Sequence, residues 1–146
     1  MGERIKSTVI GGVDWSRLEA PDAETFIALA YDAFFRLPAE FRRLCSELII
    51  RIEDFPDLDE IEEMGLDSEF DLLGLFTGTG LTEGGPGQWT GQMPNMVTLY
   101  RRPILDYWAE HEETLGAVIT HVLVHEIGHH FGLTDDDMDR IEASAE

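Results

Sequence analysis

Hydrophobic positions recur along the chain with two different spacings, which predict helices in some segments and strands in others. Residues 22–37 carry apolar side chains at a 3.6-residue period, which is typical of an amphipathic helix. Asp22 is the expected N-cap of this helix, and Pro38 ends it or begins a short second one. Residues 57–64 predict a short acidic helix that ends at Gly65.

Three segments are expected to form strands because they are rich in β-branched and aromatic residues. They are residues 48–52, 70–77 and 96–101. Seven of the 14 glycines fall within residues 74–91, which predicts a turn-rich loop between the second and third strands. Pro103 then begins a short helix.

Residues 112–133 form the most informative segment, because their apolar side chains would point in nearly every direction around a helix. A helix that is apolar on all sides lies at the centre of its domain. The same segment contains histidine and glutamate, and charge in a dry interior is costly unless it is paired. The polar residues of this helix therefore need a chemical explanation.

The composition is that of one globular domain with a large excess of acidic residues. The 146 residues are 43% hydrophobic and 27% charged, so we expect a single domain over residues 1–146. Thirty acidic residues against ten lysines and arginines give a formal net charge of −20. Such a charge repels phosphate backbones, which disfavours nucleic acid as a substrate or partner and argues against a metal-dependent ribonuclease.

The chain carries one cysteine, Cys45, which can form no internal disulfide. We expect it to be a small buried hydrophobic side chain rather than a nucleophile. The N-terminus lacks the apolar run of a signal peptide, and no apolar stretch is long enough to span a membrane. These features favour a cytoplasmic protein without a membrane partner.

Residues 125–129 read His-Glu-Ile-Gly-His, and this pattern predicts a zinc site. His125 and His129 are four positions apart, so both imidazoles lie on one face of a helix and can hold two corners of a tetrahedral zinc ion. Glu126 is rotated away from that face, where its carboxylate can accept a proton from a water that the metal activates. It is the expected catalytic base.

The third zinc ligand is expected from the chain that follows the helix. Gly132 lies where a helix needs a left-handed residue to end, and the chain can then turn back toward the metal. Asp135 comes ten positions after His125 and is the expected third ligand. Residues 134–137 also read as a capping box that begins a short last helix, a role compatible with ligation.

Other polar residues of this region have alternative roles. Asp136 and Asp137 are expected to be solvated or to contact a histidine N–H, and Glu142 is the remaining alternative as a ligand. His121 lies one turn before the motif, so it either approaches the metal or is satisfied by a backbone or carboxylate partner, and the second role is favoured. His130 faces another side of the helix and is expected to be structural.

This motif and three further segments resemble the small bacterial zincin-like metallopeptidases. Residues 125–133 (HEIGHHFGL), followed by acidic residues, match the metal-binding signature of that family. Residues 37–41 (LPAEF) are similar to its LPxEF helix end, residues 72–78 (LLGLFTG) to its LLGLYxG strand, and residues 97–105 (VTLYRRPIL) to its IxLYRxPIL segment. The resemblance covers roughly residues 25–142.

The resemblance implies an α+β, zincin-like fold, in which a small mixed β-sheet packs against a buried active-site helix. It implies a zinc ion held by His125, His129 and an acidic third ligand. The expected function is a zinc-dependent peptidase that acts on peptides or unfolded protein segments, with Glu126 as the general base. We expect the substrate to lie extended along a sheet edge formed by residues 70–79. The alternative is a non-catalytic, zinc-stabilised binding or regulatory module, in which a fourth protein ligand such as His121 closes the metal site.

Overall fold

The computed structural model describes residues 7–45, 47–78 and 94–145. In chain order these segments contain β1 (Val9–Ile10), β2 (Val13–Asp14), α1 (Ala23–Phe35), α2 (Ala39–Arg42), β3 (Leu48–Glu53), α3 (Leu58–Glu63), β4 (Gly74–Thr77), β5 (Asn95–Tyr100), α4 (Arg101–Glu110), α5 (Leu115–His130) and α6 (Asp135–Ala143). Within these three segments, no helix has the length and apolar character needed to cross a membrane.

The helices begin and end where the local sequence provides caps. Asp22 precedes α1 and accepts a hydrogen bond from the backbone N–H of Thr25 at 2.8 Å, as an N-cap does. Asp57 begins α3 in a capping box with Glu60, and Gly65 follows the helix at a φ of 68°. Both predicted helices are confirmed.

The main sheet has three strands in the order β3-β5-β4. Strands β3 and β5 are parallel, with Leu48 opposite Asn95 and Glu53 opposite Tyr100. Strand β4 is antiparallel to β5, with Gly74 opposite Leu99. The sheet is therefore small and mixed, which is the sheet type that the resemblance implies.

The strand expected over residues 70–77 is shorter than predicted. The chain first makes a 3₁₀ turn at Glu69–Asp71 and becomes a strand only from Gly74. The Ser68 side chain accepts a hydrogen bond from the backbone N–H of Phe70 at 3.0 Å, and this local bond competes with strand pairing. The glycine-rich loop predicted over residues 74–91 lies largely outside the described residues.

Helix α5 lies at the centre of the fold, where it contacts α1, α4, α6 and strands β4 and β5. Its apolar side chains meet these elements on several sides, and the prediction of a central helix is confirmed. The fully buried ones are Val118, Ile119, Leu123, Val124 and Ile127. Three histidines of the same helix are exposed, namely His121, His129 and His130.

Strand β4 approaches α5 closely because residue 74 is a glycine. A Cβ atom at Gly74 would lie 2.7 Å from Cγ1 of Val122 and 3.4 Å from Cγ of Glu126. A side chain at residue 74 would thus collide with the central helix. The missing side chain lets this edge of the sheet lie directly beside Glu126.

Cys45 is buried next to α2, which confirms the expectation of a packed hydrophobic side chain. Burial raises the pKa of its thiol to about 11. At neutral pH the sulfur is therefore protonated and a poor nucleophile.

Candidate metal centre

Helix α5 carries the His-Glu-x-x-His motif along its second half. The helix begins at Thr114, whose hydroxyl accepts a hydrogen bond from the backbone N–H of Ala117 at 3.0 Å. His125 and Glu126 are half-buried, whereas His129 is exposed. The motif is thus helical, as its spacing requires, and its first two polar residues lie at the boundary between core and solvent.

Three histidines follow one another along one side of α5 at four-residue intervals. The ring centroids of His121 and His125 are 4.0 Å apart. Those of His125 and His129 are 5.6 Å apart, and the two rings are nearly perpendicular. His125 therefore has a histidine neighbour on either side.

Glu142 of α6 reaches two of these histidines with one carboxylate oxygen. Its Oε1 atom lies 2.9 Å from Nδ1 of His121 and 3.1 Å from Nε2 of His125. The ligand atoms of all three residues lie within 4.8 Å of one another. Among the described residues, these three side chains bring their potential metal-binding atoms together at one point.

The two other residues of the predicted zinc set lie outside this trio. His129 is exposed near the end of α5, and Asp135 is the exposed first residue of α6. Gly132 between them has a φ of 77°, the left-handed conformation expected after the helix. The set of His125, His129 and Asp135 stays a prediction.

Asp137 takes part in capping α6. One of its carboxylate oxygens accepts a hydrogen bond from the backbone N–H of Thr134 at 3.1 Å, and Arg140 forms an ion pair with the other. The bond from the Thr134 backbone holds the pKa of Asp137 below its usual value. The capping box expected over residues 134–137 is confirmed.

Glu126 is set apart from other acidic residues by its burial. Burial raises the pKa of its carboxyl group to about 7. The group lies beside Gly74 of the edge strand β4. A carboxylate with a pKa near neutrality can both accept and return a proton at physiological pH.

His130 contacts the sheet. Its ring centroid lies 4.1 Å from that of Phe76 in β4, and the ring centroid of the next residue, Phe131, lies 5.8 Å from that of the same Phe76. These contacts hold the end of α5 against the strand, which fits the structural role expected for this residue.

The role of Glu142 is partly indicated by the sequence. The sequence favours a backbone or carboxylate partner for His121, and Glu142 is such a partner. Met138 is fully buried, and Glu142 lies one turn after it, so both side chains lie on the face of α6 that meets α5. The spacing of Met138 and Glu142 is the signal that could have placed Glu142 beside the histidines.

The trio of His121, His125 and Glu142 has the chemistry and spacing that a zinc ion requires. Imidazole nitrogens and carboxylate oxygens are ordinary zinc ligands, and neighbouring ligands of a tetrahedral zinc site lie roughly 3.3 Å apart. The Glu142 oxygen lies 2.9 Å from His121 and 3.1 Å from His125, close to that spacing.

Comparison with known protein families agrees with this structure. The family described as zincin-like metallopeptidase matches residues 45–145, more than two thirds of the chain. Comparison with curated proteins finds no match. The matched region includes the mixed sheet, the motif helix α5 and the helix α6 that packs on it. This chain belongs to the zincin-like metallopeptidase family.

Proposed function

We propose that this protein is a zinc-dependent peptidase that hydrolyses peptide bonds in peptides or unfolded protein segments. Its membership of a metallopeptidase family supports the reaction class. The structural observation that carries the proposal is the position of Glu126. This carboxyl group follows His125 on α5, lies against the edge strand β4 and has a pKa raised to about 7 by burial.

In this proposal His125, His129 and Asp135 would hold the zinc ion, and Glu142 is the alternative carboxylate. Two imidazoles and a carboxylate leave a position of a tetrahedral zinc ion open, as in catalytic rather than structural sites. When bound, zinc supplies a Lewis acid, which lowers the pKa of a water molecule and polarises the scissile carbonyl.

Glu126 carries the proton transfers. As a carboxylate it accepts a proton from the water whose oxygen attacks the scissile carbonyl carbon, and it then gives that proton to the nitrogen of the leaving amine. General acid–base groups work best when their pKa lies near the working pH, and in the metal-free protein burial raises the pKa of Glu126 toward that range, to about 7. The residue ends the cycle in the carboxylate form in which it began.

The substrate is proposed to add as an extended strand beside β4. Among the described strands, β4 (Gly74–Thr77) pairs with β5 on one side and forms an edge of the sheet. Backbone groups at such an edge can bind a peptide through main-chain hydrogen bonds. Gly74 brings this edge close to Glu126, so a peptide bound there would run past the carboxylate.

A second candidate function is a non-catalytic, zinc-stabilised binding or regulatory module. The contacts of His125 with His121 and Glu142 favour it, because additional protein ligands close a zinc site to water. The two functions differ in whether the protein hydrolyses peptide bonds, because a closed metal site leaves no position for the attacking water.

Metal removal tests the peptidase proposal. A chelator should abolish hydrolysis of an unfolded protein by the purified chain, and stoichiometric zinc should restore it. Glu113→Gln changes an exposed glutamate outside the proposed site. This control variant should lose and regain hydrolysis as the wild type does. Hydrolysis that persists without metal, or that never appears in the zinc-loaded protein, would contradict the proposal.

A further inference from the structure

We propose that His121, His125 and Glu142 form a second divalent-cation site between α5 and α6, here named the α5–α6 site. It differs from the proposed catalytic set of His125, His129 and Asp135, with which it shares only His125. The existence of the α5–α6 site does not depend on the peptidase function. The proposed function is needed only for a second claim, that the α5–α6 site and the catalytic site compete for His125.

The donor atoms of the α5–α6 site already converge. A single oxygen of Glu142 contacts Nδ1 of His121 and Nε2 of His125, at 2.9 and 3.1 Å. Roughly 3.3 Å separates neighbouring ligands around a tetrahedral zinc ion, so each of the two contacts of Glu142 would lengthen by only a few tenths of an ångström around an ion. The ligand atoms of all three residues lie within 4.8 Å of one another. Two imidazoles and one carboxylate also match the ligand preferences of zinc, cobalt and related divalent ions.

Solvent can reach this site from one side. The exposed side-chain fraction is 47% for His121, 27% for Glu142 and 22% for His125. A cation can therefore enter from bulk water and keep a water molecule as its fourth ligand. The formal net charge of −20 favours cations near the surface in general, and the two imidazoles give this site its selectivity for transition metals over calcium.

The position of Glu142 is fixed by packing. It lies one turn after Met138, which is fully buried against Gly128 of α5. Because this contact holds α6 on α5, the carboxylate is presented to the histidines before any metal binds. A bound cation would link the two helices and stabilise their packing.

Sharing of His125 makes the two sites competitors. Each ring nitrogen of a histidine has one lone pair, so an ion on Nε2 of His125 beside Glu142 takes that nitrogen from any other ion. An ion in the α5–α6 site would therefore draw His125 away from the proposed catalytic set and leave the protein without hydrolytic activity.

Binding of Co²⁺ to the full-length chain, followed by visible absorption and equilibrium dialysis, tests the inference. The double variant H129N/D135N removes the other two proposed catalytic ligands and leaves the α5–α6 site intact. We expect it to bind one Co²⁺ per chain, and adding either H121N or E142Q should weaken that binding at least about tenfold. H111N, which replaces an exposed histidine outside the group, is the matched control and should change nothing. Circular dichroism checks that each variant is folded.

The outcomes separate this inference from the proposed function. Loss of Co²⁺ binding in folded H129N/D135N, or binding in that variant that is insensitive to H121N or to E142Q, would overturn the α5–α6 site and leave the catalytic set intact. If H121N/E142Q binds no Co²⁺ while H129N/D135N does, the α5–α6 site stands and the proposed catalytic ligands are wrong. If each double variant binds one ion and H125N binds none, both sites exist and share His125.

Discussion

Met138 of α6 packs directly over Gly128 of α5. A Cβ atom at Gly128 would lie 2.5 Å from Sδ and 2.9 Å from Cγ of Met138, which is fully buried. Gly128, the second variable position of the His-Glu-x-x-His motif, is therefore the place where α6 packs on α5. Because Glu142 follows Met138 by one turn, this contact also determines where the Glu142 carboxylate lies.

Gly128→Ala should be less stable than Gly116→Ala by about 1–3 kcal/mol, because the added methyl group overpacks the contact with Met138. Urea unfolding followed by circular dichroism measures the change. Gly116→Ala is the matched control in the same helix, since a Cβ there meets nothing within 4 Å. It should leave stability unchanged or raise it by up to about 1 kcal/mol. Equal stability of the two variants would show that the contact is not tight.

Tyr100→Phe should cost about 1 kcal/mol of stability at neutral pH. The Tyr100 side chain is fully buried, and its hydroxyl donates a hydrogen bond to Oε1 of Glu60 at 2.9 Å. The substitution keeps the ring but leaves the half-buried carboxylate with one donor fewer. Unfolding in urea at pH 7 measures the loss, and a variant as stable as the wild type would show that the bond contributes nothing.

The effect of Tyr100→Phe should diminish at alkaline pH. Burial, and then the Glu60 carboxylate, raise the pKa of Tyr100 above its usual value of 10. Above pH 10 the unfolded chain releases the phenol proton while the folded chain keeps it, so the wild type loses stability as pH rises there. The variant lacks this loss. The stability difference between the two proteins should therefore narrow between pH 10 and 11, and a constant difference would contradict the raised pKa.

Cys45 should react slowly with thiol reagents in the folded protein. Burial raises the pKa of its thiol to about 11, so the thiolate fraction at pH 8 is small. Labelling with a chromogenic disulfide should be at least about 100-fold slower than in the urea-unfolded chain. The signal is unambiguous because the chain has one cysteine. Equal labelling rates would show that this side chain is accessible.

Asp135→Ala should weaken zinc binding more than Asp136→Ala or Asp137→Ala does. Only a residue about three positions after Gly132 is expected to return to the metal, whereas Asp137 is already engaged in capping α6. Chelator competition measures the affinities, in the H121N/E142Q background so that the α5–α6 site cannot retain the ion. A larger loss in either of the other two variants would show that the ligand assignment is wrong.

Much of the fold could be predicted because its signals are local. Caps such as Asp22 and Asp57 lie next to the helices that they begin, and the all-round apolar pattern of α5 requires a central position. The segment before Gly74 was predicted less well. There the Ser68 hydroxyl forms a local turn that composition and alternation do not reveal.

The part of the candidate site that lies on α5 could be predicted from the sequence, whereas the contact between α5 and α6 could not. The spacing of His125 and His129 depends only on helix geometry. The carboxylate that faces the histidines depends on how α6 packs on α5, which the contact of Met138 with Gly128 decides. Glu142 was therefore a secondary candidate in the sequence, although in the structure it contacts His125.

The most direct test of the peptidase proposal measures hydrolysis of an unfolded protein and bound zinc together, in the wild type and in Glu126→Gln. The amide cannot accept the proton of the attacking water, and Glu126 is not among the proposed ligands. The variant should therefore lose activity by at least about 100-fold while its zinc content stays at the wild-type level. Hydrolysis by Glu126→Gln at nearly the wild-type rate, with zinc bound, would contradict the proposed mechanism.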